Sequence, residues 1–325
     1  MKAIRYHRYG SPDVLELEDA PLPTVGDEDV LVRVRAASVN PLDWHFMRGI
    51  PYLLRPQAGL LRPKARGLGA DMAGHVESVG RNVTRFAPGD EVFGSLGGLG
   101  TLAEYISIRQ DGTVLAKPAS LTFEAAASVP LAAFTALQAL RDKGGLRAGH
   151  KVLVNGASGG VGTFTVQIAK ALGAEVTGVC STRNTELISS IGADHVIDYT
   201  RDDFTRTARR HDLMIDIAGN RTLAECRRVL THEAILVEVG GPSKGRWIGP
   251  LIRPAGMQLR SPFVSQTIVF FLAQHNRDDL VVLRELLEAG KLTPVIDRTY
   301  PLSETAEAIR YLEEGHARGK VVITV

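Results

Sequence analysis

Three stretches hold residues whose types and spacing permit chemistry. The first is GADMAGHVESVG, Gly69 to Gly80, where His75 and Glu77 stand two apart and would share one face of a strand. Such a pair begins a metal site or decorates an ordinary strand. Two ligands are one short of the three that an open catalytic zinc site has, so the pair alone predicts a partly exposed strand and a turn. The second is VLVNGASGGVGTFTVQIAKALGA, in which an apolar strand runs through Gly156 and then Ser158-Gly159-Gly160-Val161-Gly162 into an amphipathic helix. That order suits a dinucleotide pyrophosphate, because small residues let the backbone approach and the helix N-terminus offers free N–H groups and partial positive charge. The spacing Ala157-x-Gly159-x-x-Gly162 lacks the usual first glycine or displaces it to Gly156, but the flanking strand and helix supply the required context. The third follows the strand EVTGVC. There Ser181-Thr182-Arg183-Asn184 contains no acid for a ribose 2′-hydroxyl, whereas hydroxyls and a guanidinium suit a 2′-phosphate, so NADP is expected.

These residues need a scaffold, and the hydrophobic pattern supplies one. Up to about residue 120 the chain gives short alternating segments parted by turn residues, MKAIRY, VLVRVRAASV, GHVESVG and AEYISI among them, which predict an antiparallel β unit. From Phe123 the pattern becomes helical, and apolar strands then alternate with helices: KVLVN, EVTGVC, DLMIDIAG and AILVEVGG predict a doubly wound parallel sheet. Ala218 and Gly219, and Val239, Gly240 and Gly241, follow two of these strands, at the ends where open sheets bind ligands. Two helical stretches, DDLVVLRELLEAGK and SETAEAIRYLEEG, and the strand KVVITV close the chain.

Composition limits the partners. A chain of 325 residues is about two domains, and its 38 Lys plus Arg against 36 Asp plus Glu create no strong field for nucleic acid or anionic membrane. Only Cys180 and Cys226 occur, with no C-x-x-C pair, which argues against a disulfide framework or a four-cysteine zinc lobe. Without a signal-peptide core or an apolar run of about 18 residues, a cytoplasmic protein with no integral membrane segment is expected.

The pieces AASVNPLDWHFMRG, GADMAGHVESVG, FAPGDEVFG, AASVPLAAFTALQAL, NGASGGVG and GKVVITV, in this order, resemble the medium-chain dehydrogenase/reductase superfamily over essentially the whole chain. The resemblance implies a GroES-like antiparallel β domain at 1–122, a Rossmann domain at 123–263 and a return to the first domain at 264–325. It also answers the metal question. Where zinc alcohol dehydrogenases carry ligands, this sequence has Asn40, Ala70 and, near the third position, Leu131. The resemblance therefore narrows to the zinc-free quinone oxidoreductase and enoyl reductase branch. It implies NADPH-dependent reduction of a quinone or of the C=C bond of an enone, enal or enoyl thioester by a homodimer paired through an edge within Ala234 to Val264. A nonenzymatic, crystallin-like NADPH-binding protein and an RNA-binding protein on the same fold are the alternatives.

On this resemblance Asn40, Asp43 and Tyr52 are the catalytic candidates, with His45 a weaker donor. Asn40 holds cofactor or substrate oxygen or braces its loop, Asp43 is more readily structural, and Tyr52 aids protonation or walls the pocket. The cofactor set is Asn40, Thr135, Ser158 to Gly162, Ser181, Thr182, Arg183, Tyr199, Ala218, Gly219, Val239, Gly240, Gly241 and Lys320, the last equally readable as a surface charge. The segment from Ile50 to Arg66 mixes Leu53, Leu54, Leu60 and Leu61 with Arg55, Arg62, Lys64 and Arg66. A solvated loop, the basic rim of a site and a peripheral membrane contact are its three readings.

Overall fold

In the strand Asp29–Val39 the arginines Arg33 and Arg35 face solvent while Val32 and Val34, alternating with them, are buried, the period of two that a half-buried strand imposes. The computed structural model describes residues 1–52, 55–239 and 265–325, the side chain of residue 57 apart. Within them Met1–Phe134, His275–Gly290 and Pro294–Val325 form one compact unit, and Thr135–Gln274 with Lys291–Thr293 form another.

The strands in chain order are β1 (Lys2–Arg5), β2 (Glu16–Asp19), β3 (Asp29–Val39), β4 (Asp71–Val79), β5 (Glu91–Ser95), β6 (Tyr105–Arg109) and β7 (Val114–Ala116) in the first unit. Next come β8 (Lys151–Asn155), β9 (Glu175–Cys180), β10 (His195–Asp198), β11 (His211–Asp216), β12 (Leu230–Glu238) and β13 (Thr267–Phe270) in the second, before β14 (Ile296–Pro301) and β15 (Lys320–Thr324) return to the first. The helices used below are α1 (Pro41–Arg48), α2 (Arg55–Ala58), α3 (Phe123–Ala127), α4 (Pro130–Gln138), α5 (Gly160–Ala171), α6 (Thr185–Ser190), α7 (Leu223–Arg227), α8 (Arg277–Glu288) and α9 (Thr305–Glu313).

The first unit is a sheet in the order β14-β15-β3-β4-β5-β7, with β6 paired to β3 and β1-β2 as a separate hairpin. Its pairs are antiparallel except β14 with β15, which run parallel. Parallel neighbours need a crossover, and α9 is that crossover, burying Ala308 and Ile309. Val32, Val34, Val76, Ile106 and Val321 fill the core beneath. Each such fully buried side chain contributes about 1.5–3 kcal/mol relative to exposure.

The second unit is a parallel sheet in the order β10-β9-β8-β11-β12-β13. Its central strands are buried almost throughout, because helices cover both faces of an all-parallel sheet. The sheet runs beyond the boundary expected at 263, since Thr267–Phe270 pairs in register with Ile235 to Glu238 as a further parallel strand. The helical stretch from Phe123 likewise divides between the units, because α3 packs on β3 and β4. Gly240 and Gly241, Leu53 and Leu54, and most of the edge expected to pair two copies lie outside the described residues.

Gly162 sits where the first turn of α5 meets the end of β8, and a Cβ there would lie 2.2 Å from the carbonyl oxygen of Gly156. Gly162→Ala is therefore expected to cost about 1–3 kcal/mol by overpacking. A denaturant midpoint equal to that of the parent would show that the turn is looser than described.

Candidate functional site

The glycine turn of the second unit is built to admit a ligand's phosphates. Gly156 has φ +91° and Ala157 is fully buried, so the chain doubles back tightly after β8. A Cβ on Gly159, by contrast, would find nothing nearer than 3.7 Å, so the space in front of this residue is not filled by protein. Gly159 also caps α5 without any side chain, which leaves the first-turn N–H groups of Gly160, Val161 and Gly162 without a capping side chain. Helix N–H groups without a capping side chain, behind a tight glycine turn, fit a pyrophosphate.

Around this turn the structure gathers further residues of the set. The ends of β9 and β10 are neighbours, with Cys180 opposite Asp198, so Ser181, Thr182, Arg183 and Tyr199 meet there, Arg183 exposed and Tyr199 49% exposed. Ala218 N–H donates to the carbonyl of Asn155, and Gly219 N–H donates to Asp216 Oδ1 at 2.9 Å, which sets that turn against the end of β8. Val239 directly follows β12, its N–H bonded to the carbonyl of Asp216, and Thr135 lies half-buried on α4.

Four polar residues of this crevice were not picked out from the sequence. Asn184 is 3% exposed and its Nδ2 donates to Ser158 Oγ at 3.0 Å and Ser181 Oγ at 3.3 Å, tying the glycine turn to the turn after β9. Asn155 Nδ2 donates to buried Asp216 Oδ1 at 2.8 Å, joining two strand ends. Asp198 accepts from the hydroxyl of Thr182 at 2.5 Å and from Thr200, with Arg201 3.5 Å away, and these partners hold its carboxyl below the usual carboxylate range. An asparagine or aspartate at a strand end signals only a turn; its partners come from other strands. A depression of about 610 Å3 lined by Lys151, Arg209, Arg210 and Asp212 lies at the opposite strand ends, where open sheets do not bind nucleotides.

In the first unit Asn40, Asp43 and Lys320 come together with Ser38 and Asp71 in a buried polar cluster. Asp71 is fully buried at the start of β4, and its carboxylate binds two of the three positions set against zinc ligands above, Asn40 and Leu131. Oδ2 accepts from Asn40 Nδ2 at 2.9 Å and Ser38 Oγ at 2.9 Å, Oδ1 accepts from the backbone N–H of Leu131 at 2.9 Å, and Ala70 is its chain neighbour. The positive charge facing it is Lys320, 3% exposed, whose Nζ donates to Asn40 Oδ1 at 2.5 Å and lies 3.8 Å from Asp71 Oδ2. Lys320 is thus no surface charge. Burial lowers its pKa, and Asp71 and Asp43 oppose that shift. The Asn40 amide is consequently engaged at both ends by its own chain.

Asp43 is the third residue of α1, and Oδ2 accepts the N–H of Asn40 at 2.7 Å while Oδ1 accepts the N–H of Gly69 at 2.6 Å. Gly69 has φ +85°, and a Cβ would lie 2.4 Å from Thr101 Oγ1, so only glycine closes this contact. The other candidates sit elsewhere in the unit. His45 stacks on Trp44 with centroids 3.7 Å apart and donates Nδ1–H to the carbonyl of Ile50 at 3.0 Å, its pKa lowered by burial. The guanidinium of Arg55 lies over the ring of Tyr52, 4.3 Å from its centroid, and over that of Tyr9 at 4.5 Å. His75 faces Glu91 across β5 at 3.8 Å and the ring of Phe123 at 4.8 Å. Among the described residues the one group of three side chains close enough to share an ion is His7, Glu16 and Glu18, at the surface.

Desolvation raises the pKa of Asp43 to about 6, against the lowering effect of its two backbone N–H partners and of Lys320. Folding therefore favours its protonated form, and the group's contribution to stability is fully present below about pH 4 and lost as pH rises through about 6. The stability of the parent minus that of Asp43→Asn is expected to fall by roughly 2 kcal/mol between pH 4 and 7 in denaturant titrations. A difference that stays flat across this range would contradict the burial assigned to Asp43.

Comparison with known proteins places the chain. A family model described as the alcohol dehydrogenase GroES-like domain matches residues 26–119, and one described as zinc-binding dehydrogenase matches residues 191–323. The mitochondrial NAD(P)H oxidoreductase RTN4IP1 of Mus musculus is 34% identical, covering 98% of this chain and 87% of its own. The 2-methylene-furan-3-one reductase of Solanum lycopersicum is 35% identical over 99% of this chain and 79% of its own. Among solved structures, the quinone oxidoreductase from Coxiella burnetii superposes with a TM-score of 0.88 at 32% identity, covering 100% of this chain and 99% of that one. The second family model takes its description from zinc, yet Asn40, Ala70 and Leu131 offer no set of metal donors. The chain is an oxidoreductase that belongs to the medium-chain dehydrogenase/reductase superfamily, in its zinc-independent quinone oxidoreductase branch.

Proposed function

We propose that this protein is an NADPH-dependent reductase of quinones or of the C=C bond of α,β-unsaturated carbonyl compounds, working without zinc. The observation that carries the reading is the open, uncapped glycine turn at Gly159 to Gly162 beside the hydroxyl and guanidinium groups of Ser181, Thr182, Arg183 and Tyr199. When bound, NADPH supplies hydride. The names of the relatives, an NAD(P)H oxidoreductase, a furanone reductase and quinone oxidoreductases, support the same class of acceptor.

The chain's own residues take these roles in the proposal. The N–H groups of Gly160, Val161 and Gly162 bind the pyrophosphate, and Ser158, held by Asn184, fixes the turn that presents them. Ser181, Arg183 and Tyr199 hold the 2′-phosphate, while Thr182 is spent on Asp198 and keeps that carboxylate occupied. Thr135, Ala218, Gly219 and Val239 line the remainder of the cofactor site in this reading. Asn40 and Asp43 act as positioning residues, because the amide of the one and both oxygens of the other are already committed. Lys320 orients Asn40 through its ammonium. Tyr52 is a pocket wall held by Arg55. Quinones and enones suit such a site, since charge delocalises into the acceptor and needs less Lewis-acid help. A homodimer in the cytoplasm completes the proposal.

Steady-state oxidation of NADPH against a panel of quinones, enones and enoyl thioesters tests the reading, and no turnover with any of them would remove it. Arg183→Ala should lower the NADPH to NADH ratio of kcat/KM about 10- to 150-fold, the loss of one charge-assisted hydrogen bond. An unchanged ratio would take Arg183 out of the phosphate site, and a parent that prefers NADH would overturn the NADPH assignment.

A further inference from the structure

The turn at Leu60, Leu61 and Arg62 shows an apolar tip that folding does not explain. Leu61 is 85% exposed and Leu60 66% exposed, and Leu61 is the most exposed large hydrophobic among the described residues. The exposure is built, because the base of the turn is fastened on both sides. Tyr9 Oη donates to the carbonyl of Gly59 at 2.6 Å, Lys64 N–H donates to the carbonyl of Ala58 at 2.8 Å, and Tyr6 N–H donates to the carbonyl of Arg66 at 3.0 Å. Gly59 has φ +122°, and a Cβ there would lie 1.9 Å from the carbonyl oxygen of Arg62, so the turn closes only on glycine. Pro63 is buried beneath, while Leu60, Leu61, Arg62, Lys64 and Arg66 point to solvent.

The charge around this tip is one-signed. From Arg48 to Ala70 the chain has five cations and no Asp or Glu. Arg48 is paired with Glu313 and the guanidinium of Arg55 lies over the rings of Tyr9 and Tyr52, but Arg62, Lys64 and Arg66 enter no ion pair among the described residues. Adjacent exposed leucines followed by three exposed cations with no ion pair among the described residues match an anionic lipid surface, where aliphatic side chains enter the acyl boundary and basic groups meet headgroup phosphates. Two leucines are far too small a patch for a stable protein interface, which needs about 800 Å2 from each partner. No aromatic ring among Leu60 to Arg66 offers the stacking that single-stranded nucleic acid uses.

We propose that the turn Leu60 to Arg66 docks this protein reversibly on anionic membranes, the leucine pair inserting and Arg62, Lys64 and Arg66 binding lipid phosphate. This contact is peripheral, since no helix among the described residues is long and apolar enough to cross a membrane. It stands apart from the reductase reading, because it involves none of the residues given a role there.

The test is cosedimentation of the full chain with vesicles of phosphatidylcholine alone and of phosphatidylcholine mixed equally with phosphatidylglycerol. Binding is expected to the mixed vesicles only, and to be released as salt is raised. Replacing Arg62, Lys64 and Arg66 with Gln should weaken partitioning about 100-fold, and Leu60→Ser with Leu61→Ser about tenfold or more. Both variants should keep the parent's thermal midpoint. Absence of binding to mixed vesicles, or binding that neither variant changes, would overturn the proposal. So would a change of mass by light scattering in the leucine variant, which would assign the tip to a second copy of the chain.

Discussion

The structure of the first unit depends on one interaction, the buried pairing of Lys320 with Asp71 through Asn40. Burying a lone carboxylate or ammonium costs several kcal/mol, and the cost is offset only where charge partner and hydrogen bonds are both supplied. Here Asp71 receives bonds from Ser38, Asn40 and Leu131 besides the ammonium, and Lys320 reaches Asn40 and the carbonyl of Val39. The cluster joins β15, β4, the end of β3 with the start of α1, and the start of α4, so the strand that ends the chain is locked to the earliest long strand. On the resemblance to zinc alcohol dehydrogenases, Asn40, Ala70 and Leu131 stand where metal ligands are expected, and together they offer no set of metal donors. The charges buried beside Asn40 are those of Lys320 and Asp71, 3.8 Å apart.

The second unit solves a different problem with the same economy of contacts. A parallel sheet presents its ligand site at the C-terminal strand ends, and there the chain must turn sharply without filling the space a phosphate needs. Gly156 and Gly162 make the turn possible, and Asn184, Asn155 and Asp216 fix its position by side-chain bonds between strand ends. None of these groups contributes much apolar burial. Their value lies in holding the N–H groups of α5 ready, so that binding need not include the cost of ordering them.

Much of the fold was legible in the sequence because hydrophobic period is a local property. Arg33 and Arg35 against Val32 and Val34 announce a half-buried strand, and VLVN followed by glycines and an amphipathic stretch announces strand, turn and helix. The site was legible only where it is local in the same way. Lys320 reads as a surface charge entering a terminal strand, since its partner Asn40 lies 280 residues away. Asp71 carries no signal of its own beside His75 and Glu77, although it is the carboxylate that organises the cluster. Thr267 to Phe270 was not read as a strand, because four residues at a sheet edge carry too little pattern and become a strand only by pairing with β12. Side-chain networks between distant strands are written in the fold, and single residue types do not reveal them.

The most direct test of this account is a double-mutant cycle between Lys320→Met and Asp71→Asn, read as unfolding free energy. Removing the ammonium alone leaves a buried carboxylate without its charge partner and is expected to cost about 3–5 kcal/mol. The double variant should lose at least 1 kcal/mol less than the two single losses together, because no orphaned charge remains. Losses that add within about 0.5 kcal/mol would show that the two groups do not act as a pair, and the central claim would fall.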